Sequence, residues 1–161
     1  MADRTDDFAA VDRRLRGILE PYLSRLVATK DGPGGLTLEI PGLEGKPWGY
    51  VAGTRLGKRY VSFYLMPICA FRDLDDALSP ELRRRKQGKS CFNFTTVDEP
   101  LLAELATLIA AGFERYLDLA AEIAAQTSVR SRWGTLTGAR SASTRGLQQL
   151  LRPLAPSGTP R

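Results

Sequence analysis

Two groups of side chains have the types and spacing to do chemistry. Arg83, Arg84, Arg85, Lys86 and Lys89 place five positive charges in seven residues, a density suited to a phosphate group or a nucleic-acid backbone. The same cations would also complement the C-terminal dipole of a short helix. Tyr50, Tyr60, Ser62, Tyr64 and Asn93, with Lys58 among them, join aromatic bodies to polar tips. On one face of a sheet they would line a shallow pocket for a partly apolar small ligand, or else serve core and edge packing. Cys91 follows Lys89 and Ser90. A neighbouring ammonium lowers a thiol's pKa and makes it reactive, whereas a buried free cysteine is an inert packing residue.

What is missing narrows the field further. The chain has no histidine, so Ser-His-Asp and Cys-His arrangements, histidine-ligated zinc or iron, and imidazole proton relays cannot be built from it. An enzyme would have to work through Lys89, Cys91 or a carboxylate, and no motif assembles them. No catalytic residue, metal ligand or cofactor is assigned. The glycine pairs at 31–35 and 41–47 lack the Gly-x-Gly-x-x-Gly or Walker spacing that cradles a nucleotide between strand and helix. The reading that remains is a non-catalytic domain that binds a small ligand or acts as a chaperone. Its rival is a weak nucleic-acid or phosphate contact through the Arg83–Lys89 cluster and a basic tail.

Charge is unevenly distributed along the 161 residues. The formal net charge is +5, yet residues 1–125 hold 17 Lys and Arg against 18 Asp and Glu, while residues 126–161 hold six Arg and no acid. A nearly neutral body argues against a fold designed around a phosphate backbone. Hydrophobic residues make up 43% and charged residues 25%, ordinary for a compact globular domain of this size. The acidic start without an apolar core, the two cysteines, and the lack of an apolar run near the roughly 20 residues of a membrane helix point to a soluble cytoplasmic protein with reduced thiols and no membrane contact.

The elements that must position these groups follow from periodicity. Phe8, Val11, Leu15, Ile18, Leu19, Tyr22, Leu23 and Leu26 recur at helical spacing, and Pro21 breaks or kinks that helix. Leu36 to Ile40 reads as a short strand after the loop Asp31-Gly-Pro-Gly-Gly. Trp48–Thr54 and Arg59–Met66 read as a hairpin joined at Arg55-Leu-Gly-Lys, with Gly57 supplying a positive φ. Val61, Phe63 and Leu65 share one face of its second strand, which reads as central and covered on both sides. Short helical pieces follow from Asp73 and from Ser79, whose N-cap side chain, Pro80 and Glu81 mark a helix start. Lys89–Thr95 is a further strand, with Phe92 and Phe94 on one face. Asp98 caps a long helix to about Ala125, in which Gly112 would need close contact with a strand to offset its low helix propensity. The sum is one α+β domain, residues 1–125: a mostly antiparallel sheet of four to five strands flanked by helices. Residues 126–161 read as a basic, disordered tail with one helical turn near Leu150.

Several of these strings resemble the YdhG-like domains, small bacterial proteins of unknown function. They are Lys46-Pro, Gly53, Tyr60-Val-Ser-Phe-Tyr-Leu-Met-Pro, Ser79-Pro-Glu-Leu, Gln87-Gly-Lys-Ser-Cys-Phe-Asn-Phe, and Glu104 through Gly112-Phe-Glu-Arg-Tyr. The resemblance covers roughly Leu36 to Tyr116 and implies a single α+β domain with an antiparallel sheet packed on helices. Some members carry a frataxin-like iron-chaperone label, which would call on surface carboxylates such as Asp3, Asp6, Asp7 and Asp12 or Asp73, Asp75 and Asp76. The chain departs from its relatives at Tyr64, where they tend to have His, and at Cys69, where they tend to have Tyr.

Overall fold

The computed structural model describes residues 4–138. The chain divides into two compact units, Met1–Ala121 and Glu122–Arg161, and the whole sheet lies in the first. Helix α1 spans Arg4–Leu19, and where Pro21 removes an amide donor a 3-10 turn, Glu20–Tyr22, takes over. Strands follow at Val27–Gly32 (β1), Gly35–Glu39 (β2), Tyr50–Leu56 (β3) and Val61–Leu65 (β4). Three short helices come next, Pro67–Ala70 (α2), Arg72–Asp76 (α3) and Pro80–Arg85 (α4). Strands β5 (Lys86–Gln87) and β6 (Cys91–Phe94) precede the long helix α5, Glu99–Gly138. The protein is α+β, with one six-stranded sheet in the order β1-β2-β3-β4-β6-β5 and every neighbouring pair antiparallel.

Two of the six strands escape the periodicity reading. Asp31-Gly-Pro-Gly-Gly is not a free loop. Gly32 pairs with Gly35, leaving Pro33 and Gly34 as the turn of a β1–β2 hairpin. Strand β1 is an exposed edge, so no core face imposes alternation on its sequence. Strand β5 is two residues long, and Gly88 at φ +77° turns the chain from it into β6. That is where Gly88 is needed, since α4 has ended at Arg85. Gly57, by contrast, has no positive φ. Its amide donates to the Tyr60 carbonyl at 3.0 Å, and a Cβ there would lie 2.8 Å from that oxygen, so it supplies room rather than handedness.

The core lies on one face of the sheet. Phe63 sits opposite Phe92 and Val61 opposite Phe94, all fully buried together with Leu38 and Leu65. Val11, Leu15 and Leu19 of α1 and Leu105 and Ile109 of α5 join the same cluster. The opposite face carries Arg55, Ser62, Tyr64, Cys91 and Asn93 in register and is polar, so β4 is covered by a second layer on one side only. Ser79 caps α4 by accepting from the Leu82 amide at 3.1 Å, and its own amide and hydroxyl donate to Glu104 of α5 at 2.8 and 2.7 Å. Gly112 faces Pro67 and Leu74, where a Cβ would meet side-chain atoms at 2.7 Å. Its close contact is therefore with α2 and α3 and not with a strand. Asp98 caps α5 through the Leu101 amide. The helix continues through Gln126–Gly138, where composition predicts a disordered tail. No Pro and no Gly other than Gly112 interrupts 101–133, and the Thr127 and Ser128 hydroxyls bond back to the carbonyls of Ile123 and Ala124. The remaining tail and its turn near Leu150 lie outside the described residues.

Candidate functional site

The tyrosine group converges. A cleft of about 630 Å³ opens at the β3–β4 hairpin, lined by Arg55, Leu56, Gly57, Lys58, Arg59, Tyr60, Ser62 and Tyr64. Its position follows from strand register. Ser62 lies opposite Arg55 on β3 and Asn93 on β6, and Tyr64 lies opposite Gly53 and Cys91. Tyr60 precedes β4 at the same two-residue period, so Tyr60, Ser62 and Tyr64 share the polar face. Ser62 is 5% exposed, while both flanking tyrosines are half-buried.

Beneath the cleft, polar side chains hold one another in place. The Ser62 hydroxyl donates to Asn93 Oδ1 at 2.8 Å, the Asn93 amide donates to Gln87 Oε1 at 2.6 Å, and the Cys91 thiol approaches Asn93 Oδ1 at 3.5 Å. Asn93 is thus a cross-strand tether and does not line the cleft. Tyr50 also stands beside the cleft, its ring 6.5 Å from that of Tyr64. It reaches across Gly53, where a Cβ would sit 2.8 Å from the Tyr50 hydroxyl. Burial, reinforced by neighbouring Tyr64, Cys91 and Glu39, raises the Tyr50 pKa above its ordinary value and keeps it a protonated donor. From the core side, the Tyr116 hydroxyl donates to the Tyr50 carbonyl at 2.9 Å, and burial pushes its own pKa up to about 12.

Three cations also stand together at the cleft. Among the described residues, no carboxylate lies within ion-pair distance of Arg55, Lys58 or Arg59, and all three are exposed. The hydroxyls of Tyr60 and Tyr64 likewise donate to no group among the described residues. The sequence carried a signal for this: no Asp or Glu occurs from Gly45 to Arg72. Arg55 and Arg59 were legible as cations without acidic neighbours, but the charge density at Arg83–Lys89 outweighs them on a linear reading.

The Arg83–Lys89 cluster does not converge in this way. Arg83 donates to the Asp75 carbonyl at 2.6 Å and lies 3.9 Å from its carboxylate, which also holds Lys86. Arg84 faces Glu81 at 4.0 Å, and Arg85 faces Asp98 at 3.9 Å and the Phe94 ring at 5.9 Å. Only Lys89 of the five stands without a carboxylate partner among the described residues. Lys86 and Lys89 border a second depression of about 360 Å³ beside Cys69, with Asp75 in its wall. Of the carboxylates that an iron-binding role would use, Asp12, Asp73, Asp75 and Asp76 are similarly engaged. Asp73 is gripped by Arg115 at 2.8 and 3.0 Å, which lowers its pKa. Asp76 faces Arg72, and Asp12 faces Arg16. No group of three or more Asp, Glu or Cys arranged to hold a metal ion occurs among the described residues.

Cys69 is exposed and Cys91 half-buried, both as free thiols. No helix among the described residues is long and apolar enough to cross a membrane. No protein-family model matches the chain, and neither a curated protein nor a solved structure does.

Proposed function

We propose that the chain is a YdhG-like, cytoplasmic, non-catalytic binding domain whose ligand is a small anionic molecule held in the cleft at the β3–β4 hairpin. One observation carries the reading: Arg55, Lys58 and Arg59 gather there without a carboxylate partner, in a protein whose other clustered cations are mostly paired. Unpaired like charges repel one another, so a group of three is a cost to the empty protein that a bound anion would relieve. The cleft volume suits a small-molecule site, for which roughly 300–1,000 Å³ is typical. Side chains beneath it are fixed by the Ser62–Asn93–Gln87 chain of hydrogen bonds, which limits the ordering that binding would otherwise require.

A thermal-shift panel of pyrophosphate, sugar phosphates and small di- and tricarboxylates, set against uncharged analogues, tests this. Binding to the native state raises the melting temperature by mass action, so some of the anions will raise it by several degrees, less so at high salt. The paired substitution Lys58→Glu and Arg59→Glu will remove the shift. A silent panel, or equal shifts in that variant, would remove the reading.

A further inference from the structure

We propose that the anion bound in this cleft is part of a nucleotide, its phosphate held by Arg55, Lys58 and Arg59 and its base lying against Tyr60 and Tyr64. The inference rests on the reading just given and adds the ring. Tyr60 and Tyr64 are four residues apart on one strand face, roughly 13 Å at the rise of an extended strand. Ser62 between them is small, buried, and bound to Asn93. With only this short side chain between them, the two tyrosines flank an open stretch of the cleft where a flat heterocycle can lie with its face on a tyrosine ring. A sugar phosphate or an inorganic anion would stack on neither ring. Bases stack on tyrosine because every base presents a π-face, and the planar guanidinium fork matches the oxygens of a phosphate in a bidentate way that a single ammonium cannot.

Electrostatics agree with this order of parts. The cations stand on the hairpin turn, at the Tyr60 end of β4, and the acid-free stretch from Gly45 to Arg72 places no carboxylate of the hairpin against the phosphate. On β2, Glu39 accepts from the Gly45 amide at 3.0 Å. The Tyr60 and Tyr64 hydroxyls, with no acceptor among the described residues, remain as donors to the sugar or the base edge. A cleft of about 630 Å³ accepts one nucleotide, whether free or as one unit of a single strand.

Isothermal titration calorimetry on the full chain separates the parts, using the four 5′-mononucleotides, adenosine, ribose 5-phosphate and a hexa-adenylate strand. At least one mononucleotide will bind tenfold or more tightly than ribose 5-phosphate, and adenosine more weakly than either. Tyr64→Leu will bring the nucleotide down to the level of ribose 5-phosphate and leave the latter unchanged. Tyr60→Ser, at the half-buried position just before β4, gives the same comparison where Tyr64→Leu melts early. Arg59→Glu will weaken both phosphates. Equal binding of mononucleotides and ribose 5-phosphate would overturn the nucleotide while leaving the anion cleft standing. No phosphate binding, or binding indifferent to Arg59→Glu, would overturn both. A hexamer tighter than AMP by more than the sixfold statistical factor assigns the site to a strand end or segment, and a hexamer no tighter assigns it to free nucleotide.

Discussion

At the scale of single residues, the sign of a substitution follows from the space around it. Phe63 is wholly buried against Phe92, and Phe63→Ala will cost about 3–5 kcal/mol in urea unfolding, the transfer loss plus the cavity. Gly53→Ala will also destabilise, since the new methyl would lie 2.2 Å from the Leu36 carbonyl oxygen and 2.8 Å from the Tyr50 hydroxyl. Gly17→Ala will have the reverse sign. Nothing lies within 4 Å of that position on the exposed side of α1, so the helix gains about 0.5–1 kcal/mol of propensity. The buried core was legible in the sequence because Val61, Phe63, Leu65, Phe92 and Phe94 alternate strictly. The use of Gly53 was not, because a missing side chain does not say which neighbour fills the space. Tyr116 adds a pH dependence. Its folded pKa of about 12 lies above the ordinary tyrosine value near 10. Above pH 10 the unfolded chain releases a proton that the folded one keeps, so this part of the stability is complete below pH 10 and is lost as pH rises toward 12. Urea midpoints measured from pH 9 to 11.5 will therefore fall, and Tyr116→Phe will flatten the slope.

At the scale of elements, caps and hydrogen-bonded joints decide what a linear reading finds. The start of α4 was readable from Ser79-Pro-Glu because an N-cap acts through its own next three residues. Its attachment to α5 was not, because Glu104 lies 25 residues away. This joint is a coupled unit. Ser79→Ala removes the cap and leaves the Glu104 carboxylate with only the Ser79 amide, for a loss of about 1–2 kcal/mol. Glu104→Ala frees the same two donors from the other side. The double variant will lose less than the sum of the two by 0.5 kcal/mol or more, and additive losses would mean that the two helices are joined by something else. Edge strand β1 and the two-residue β5 escaped detection for a related reason. Where no face is buried, periodicity has nothing to report, and β5 exists only because it pairs with β6.

At the scale of the whole molecule, overall charge balance and local ion pairing single out different cations. A body with 17 basic and 18 acidic residues up to Ala125 looks indifferent to anions, and a +6 tail looks like the whole of any attraction. In three dimensions the balance is local. Arg14, Arg25 and Arg115 meet Glu99, Glu114 and Asp73, Arg83 and Lys86 share Asp75, and Arg55, Lys58 and Arg59 meet none of them. Net charge and local charge therefore make different predictions for two variants of identical total charge. Arg83→Gln with Arg84→Gln, and Lys58→Gln with Arg59→Gln, each remove two positive charges. If the field of the whole protein governed anion binding, the two would weaken pyrophosphate or nucleotide binding equally and lower its salt dependence equally. Because the first pair is already engaged with Asp75 and Glu81, its loss will change affinity less than about twofold. Loss of the second pair will weaken it by tenfold or more, a difference of about 1.4 kcal/mol, and flatten the dependence on salt. Equal effects in the two variants would place the attraction in the global field and deny the cleft its role.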